Sequence, residues 1–132
     1  MRETVKAFKV LSGETRLRML HLLMERECCV CEVEQALEIS QSKASRGLTA
    51  LYDAGFLTMR KDGLWSLYSI DREGAEGYRY RMIEAVQAAL KGNPVAALDK
   101  QRLAKAERVG ARCASGKSGC LPDDTSLVSE RK

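Results

Sequence analysis

At residues 56–70 the chain reads FLTMRKDGLWSLYSI, and its apolar pattern changes period. Upstream, apolar residues recur every three or four positions, which is helical spacing. Here Leu57 and Met59 alternate, and a second run, rich in apolar and aromatic residues, extends from Leu64 to Ile70. Asp62-Gly63 separates the two runs. Both central residues of a tight hairpin turn must tolerate positive φ, which this pair does, so the stretch predicts a β-hairpin. The chain must therefore fold as a helical body that carries a two-stranded ribbon.

The upstream helices can be placed from their stripes. Val5, Phe8 and Leu11 share one face of a short first helix. Ser12, followed by Glu14, predicts the capped start of a second, with Leu17, Leu20 and Met24 on one stripe and Leu23 beside it. Val30, Val33 and Leu37 predict a third helix from about Cys29 to Leu37. The residues at 38–40 break it, Ser40 caps a fourth, and Ala44, Leu48 and Leu51 face inward before Gly55 supplies a left-handed end. Two short helices joined by a three-residue turn make a helix-turn-helix, and the hairpin that follows makes it a winged helix.

Beyond Asp71, Tyr78, Met82, Val86 and Leu90, flanked by Ile83 and Ala89, predict a helix with a broad apolar face. Pro94 opens a last helix, PVAALDKQRLAKAERVGARC, in whose first turn a proline is tolerated. The expected fold is mainly α with a β-hairpin wing. Residues 1–92 are expected to form a winged-helix DNA-binding domain, 93–112 a C-terminal helix, and 113–132 a mobile, Cys-containing tail rich in Gly, Ser, Asp and charge. A length of 132 residues suits one domain.

The net charge of +4 is compatible with an anionic partner such as nucleic acid, without requiring one. The opening MRETVKAFKVL has no continuous apolar core of a signal peptide, and no apolar run reaches membrane-spanning length. A cytoplasmic protein with no membrane partner is the expectation. In a reducing compartment, clustered cysteines bind metal or sense redox state more often than they form structural disulfides.

On the fourth helix, Gln41, Ser42, Lys43, Ser45 and Arg46 lie on the first turns of the polar side, where a recognition helix enters the major groove. Arg and Gln read base edges, while Ser and Lys more often anchor phosphates. Arg60 and Lys61 stand just before the hairpin turn, where a wing meets the DNA backbone or minor groove.

The remaining chemistry is thiol chemistry. In ERECCVCEVEQAL, residues 25–37, Cys28, Cys29 and Cys31 fall within four positions. Soft thiolates select soft ions. Arsenite is satisfied by three thiolates, whereas tetrahedral zinc or cadmium wants four ligands, so three local cysteines lean towards As(III) or Sb(III). On a regular helix Cys28 and Cys31 would lie about 60° apart, and Cys29 and Cys31 about 160° apart. One ion could then gather all three only if the first turn were unwound or frayed. Cys113 and Cys120, in CASGKSGC, either fold back as further thiolates, to the same or the other subunit, or are free thiols on the tail. A thiol redox trigger and a cadmium- or lead-responsive site are the alternatives. The only histidine, His21, lies between two leucines and reads as a packed side chain. No phosphate-binding Cys-x-x-x-x-x-Arg loop is present, and the protein is not expected to be an enzyme.

Residues 11–70, from LSGETRLRMLHLL through CVCEVEQAL to QSKASRGLTALYDAGFLTMRKDGLWSLYSI, resemble the ArsR/SmtB family of metal-responsive repressors. The resemblance implies a winged-helix homodimer on operator DNA that leaves it when a metal or metalloid binds. It implies a dimer interface formed by the first helix and the helix at 78–90. It also implies that Cys29-Val30-Cys31 belongs to the inducer site, as in arsenic- and cadmium/lead-sensing members. Some arsenite sensors add a third cysteine three positions later, where this chain has Glu34. Cys28 is an addition to the usual pattern. Gly47 stands where the family often has His, so the operator sequence does not carry over. Zinc sensors use carboxylate and His ligands on the last dimer helix, and the 78–90 segment has no His.

Overall fold

The computed structural model describes residues 1–72 and 77–109. Helices α1 (Arg2–Val10), α2 (Glu14–Leu23), α3 (Val30–Leu37) and α4 (Gln41–Asp53) precede strands β1 (Leu57–Asp62) and β2 (Trp65–Ile70), and α5 (Tyr78–Leu90) and α6 (Pro94–Lys105) follow. The strands pair antiparallel, with Leu57 opposite Ile70 and Asp62 opposite Trp65. The hairpin forms as expected, but its turn is Gly63-Leu64 and not Asp62-Gly63: Asp62 is the last residue of β1, and Gly63 alone takes a positive φ, 63°.

The core forms where α2, α3 and α4 meet. Met19, Leu20, Leu22, Val33, Leu48, Leu51 and Phe56 are fully buried. Burying each such side chain contributes about 1.5–3 kcal/mol. Glu38, at φ 57°, ends α3 in the left-handed region, and the Ser40 hydroxyl caps α4 by accepting the Lys43 N–H at 3.1 Å. Asn93 caps α6 by accepting from Val95 and Ala96.

Three details depart from expectation. Ser12 does not cap α2: its hydroxyl donates to the Lys9 carbonyl at 2.7 Å, closing α1, and Gly13 is the residue before α2. On α1 the inward residues are Ala7 and Val10, while Val5 and Phe8 remain exposed, an apolar stripe left uncovered by the described residues. The last helix stops at Lys105, well short of 112, because the backbone of Glu107 pairs with a side chain of α3 and not with its own helix.

Gly47 is buried, not presented to DNA. A Cβ there would lie 2.5 Å from the Met19 Cε and Sδ, so its small size is what lets α4 approach α2. No helix among the described residues is long and apolar enough to cross a membrane.

Candidate thiol site and nucleic-acid interface

The three clustered cysteines fall on a change of backbone direction. Cys28 lies in extended chain and forms a two-bond bridge with the wing: its N–H donates to the Tyr68 carbonyl at 3.0 Å, and the Tyr68 N–H returns to the Cys28 carbonyl at 2.8 Å. Cys29, at φ −88° and ψ 171°, is the residue before α3, and Cys31 sits in its first turn. In extended chain successive side chains point to opposite sides. Cys28 therefore enters the main core, where among the described residues its thiol donates to the Arg26 carbonyl at 3.5 Å. Cys29 and Cys31 lie in a separate cluster with Leu67 and Trp65.

Their sulfurs are 2.9 Å apart. The expected conflict within a regular helix does not arise for this pair, because α3 starts one residue later and the extended residue swings Cys29 onto Cys31. Cys28 is not brought to them. Among the described residues no group of three or more His, Cys, Asp or Glu is gathered as for a metal ion. Cys113 and Cys120 lie outside the described residues.

The two thiols are electrostatically unlike. The hydrogen bond from Cys29 lowers the Cys31 pKa, against its burial, and the Val109 backbone N–H lowers it further. Cys29, as the donor, is raised by the same bond and by burial. Burial is the largest cause of the rise of Cys28 to about 12, with the Glu32 charge adding to it. Of the two, Cys31 is thus the thiol whose ionised form the pair favours.

Residues that the sequence did not single out hold this arrangement. Glu32 is buried, and its carboxylate accepts the Cys29 N–H at 2.9 Å, the reciprocal half of a capping box. It also takes Arg26 at 2.8 Å and Arg108 at 3.1 Å. Burial pushes the Glu32 pKa up, but these hydrogen bonds outweigh it and hold the group below its ordinary value. The Gln35 side chain clamps the chain after α6 from both sides: its amide donates to the Glu107 carbonyl at 2.7 Å and accepts the Glu107 N–H at 3.0 Å. Residues 106–109 therefore lie as a strap across the thiol pair. The Trp65 indole N–H, packed against the same cluster, is buried with no hydrogen-bond partner among the described residues.

At the opposite end of the helix-turn-helix, Lys43 and Arg46 are exposed on α4, while Gln41, Ser42 and Ser45 are half-buried. Arg46 donates to the Ser42 hydroxyl at 2.9 Å, one turn earlier. Lys61 and Arg60 are adjacent on β1 and so leave opposite faces of the wing. Lys61 reaches across to the Ser66 hydroxyl at 2.9 Å. Arg60 is engaged by Glu27, with its Nε 3.1 Å from the carboxylate, and so ties the wing to the segment just before the cysteines.

The comparisons with known proteins agree with this geometry. A model of bacterial regulatory proteins of the arsR family matches residues 13–58. The arsenical resistance operon repressor of Bacillus subtilis is 35% identical over 78 residues, which cover 58% of this chain and 74% of that protein. The chain belongs to the ArsR family.

An arsenic resistance transcriptional regulator of Pseudomonas putida is 48% identical over 67 residues, 50% of this chain and 52% of that one, so the chain spans about half the length of that relative. Among solved structures, a homodimeric winged helix-turn-helix DNA-binding domain from Mycobacterium bovis, described as a possible ArsR-family transcriptional regulator, superposes with a TM-score of 0.59. It is 26% identical, and the match covers 70% of this chain and 82% of that one. The expected winged helix-turn-helix is thereby shown. In this ArsR-family chain the thiol pair sits at the start of the first helix of the motif, directly against the wing.

Proposed function

We propose that this protein is a homodimeric transcriptional repressor that binds operator DNA through α4 and the wing, and is released when As(III) or Sb(III) binds the thiolates of Cys29 and Cys31. The observation that carries the reading is the buried pair of sulfurs 2.9 Å apart, packed against Leu67 of the wing. Lys43 and Arg46, with Gln41, Ser42 and Ser45 beside them, would face the major groove. Lys61 would meet the phosphate backbone, and Arg60 would join it on leaving Glu27. The outward stripe of Val5 and Phe8, with Tyr78 exposed on α5, supports dimerisation through α1 and α5. The metalloid would bind inside the seam between α3 and β2, so it would displace Leu67 and strain the Cys28–Tyr68 bridge. It must bind the released form more tightly by several kcal/mol to empty the DNA-competent state.

Cadmium, zinc and lead sites of higher coordination number are less well served by two convergent thiols. A second reading rests on the same proximity: two thiols in contact are set for a disulfide, formed as peroxide takes two electrons and both thiol protons and leaves as two waters.

Fluorescence-anisotropy titration of the protein on its own promoter DNA separates these. The titrants are arsenite, antimonite, cadmium, zinc and hydrogen peroxide, the metals under reducing conditions. Release by arsenite or antimonite that Cys29→Ser/Cys31→Ser abolishes is the expected result. Release by peroxide alone would establish the redox reading, and DNA binding that no titrant disturbs would refute both.

A further inference from the structure

We infer that Glu27 stands in for an operator phosphate: it holds Arg60 of the wing while the protein is off DNA, and yields it to the DNA backbone when the operator binds. The inference rests on the proposed docking of the wing on DNA, and deepens it by naming the group with which the operator competes.

Four basic side chains are assigned to the DNA face: Lys43, Arg46, Arg60 and Lys61. Among the described residues Arg46 and Lys61 each reach a serine hydroxyl, Lys43 has no ion pair, and Arg60 alone is held by a carboxylate. The grip is two-pronged, with Nε 3.1 Å from one Glu27 oxygen and Nη2 on the other. A guanidinium takes two oxygens of a phosphate by the same fork, so this edge of Arg60 cannot serve both partners at once. The Arg60 side chain is 58% exposed, so a phosphate can reach it with no rearrangement of the core.

Glu27 is placed by pinned backbone. The next residue, Cys28, is fixed to Tyr68 of β2 by two hydrogen bonds, and the Glu27 carbonyl accepts from Arg26 at 3.2 Å. Side chains alternate along extended chain, so Glu27 lies on the same side as Cys29, two residues on. On the wing, Arg60 is the direct cross-strand partner of Leu67, and directly opposed residues share a face. Leu67 is the wing residue packed on Cys29 and Cys31. Glu27, Cys29, Leu67 and Arg60 therefore lie on one face, with the ion pair reaching across β2. The exchange of Arg60 thus takes place on the face where the inducer is proposed to bind.

Anisotropy titrations of the full-length protein on its promoter DNA, repeated over a range of salt concentrations, test the exchange. Glu27→Gln keeps the shape and removes the charge. It should bind about two- to fivefold more tightly, which is what an exposed ion pair is worth. Its salt slope should equal that of wild type, because Arg60 meets the same phosphate in both complexes. Arg60→Gln should lower the slope by about one, and Glu27→Gln should add nothing in that background. Unchanged affinity in Glu27→Gln overturns the inference. A gain that persists without Arg60 overturns it too, since Glu27 would then act only as a negative charge near DNA. A slope steeper by about one in Glu27→Gln would mean that Arg60 stays on Glu27 in the wild-type complex, and is equally fatal. All three results leave the thiol pair as the sensor and α4 as the reading helix. A wild-type protein that does not bind the promoter would instead remove the proposed function, and this inference with it.

Discussion

Replacing Glu32 tests whether the start of α3 is held by one buried carboxylate. The side chain is 4% exposed and makes three charge-assisted hydrogen bonds, to the Cys29 N–H, Arg26 and Arg108. Loss of a cap costs about 1 kcal/mol. Each broken arginine contact would cost more if both partners were dry, but Arg26 and Arg108 are 38% and 29% exposed and can rehydrate. Discounted for that solvation, each contributes about 0.5–1 kcal/mol. Glu32→Ala should therefore destabilise the fold by about 2–3 kcal/mol at neutral pH, measured by urea unfolding with an unchanged m-value. Glu32→Gln, which keeps an acceptor for the Cys29 N–H, should lose about half as much. Because the folded pKa of Glu32 is below its ordinary 4.5, the contribution is complete above that value and is lost as pH falls through the lower, folded pKa. The gap between wild type and Glu32→Ala should close accordingly in acid. A Glu32→Ala protein within about 0.5 kcal/mol of wild type at pH 7 would refute the assignment.

Arg46→Ala should weaken operator binding by about 1–3 kcal/mol in anisotropy titrations with its unfolding midpoint unchanged, whereas Lys61→Ala should weaken all sequences alike and lower the salt slope by about one. Equal salt slopes for Lys61→Ala and wild type would remove the wing from the DNA interface. Phe8→Glu should convert the dimer to monomer in sedimentation equilibrium while leaving the helical circular dichroism intact; an unchanged mass would place the interface elsewhere. Burial first, and the Lys100 charge second, hold the His21 pKa below 6.5. As pH falls below 6.5 the unfolded chain takes the proton before the folded one does, so stability is complete above that pH and declines below it. His21→Gln should flatten that decline in thermal melts.

Most of the fold was legible because its signals are local. The hairpin around Gly63, the Ser40 cap and the inward triad Ala44, Leu48 and Leu51 each depend on neighbours within a few residues, and each is present, the turn lying one residue later than the Asp62-Gly63 pair. What was hidden is tertiary. The end of α6 at Lys105 is decided by Gln35, more than 70 residues away in sequence, which takes the backbone of Glu107. Gly47 looks like a missing side chain on a recognition helix until Met19 is seen pressed against it. The arginines that converge on Glu32 come from either side of the chain and have no motif. For the thiols, spacing alone treated three sulfurs as points on one helix, and a one-residue shift of the helix start regrouped them as one and two.

That regrouping has a consequence for how the site can vary. The bridge to Tyr68 fixes the facing of the extended chain at Cys28: its side chain enters the core, and the next residue, Cys29, faces the wing. Inserting a single residue between Cys28 and Cys29 would preserve every cysteine yet turn Cys29 from the wing towards the core, away from Cys31. The local reading frame of the backbone, as much as the identity of the residues, decides which thiol is available to chemistry.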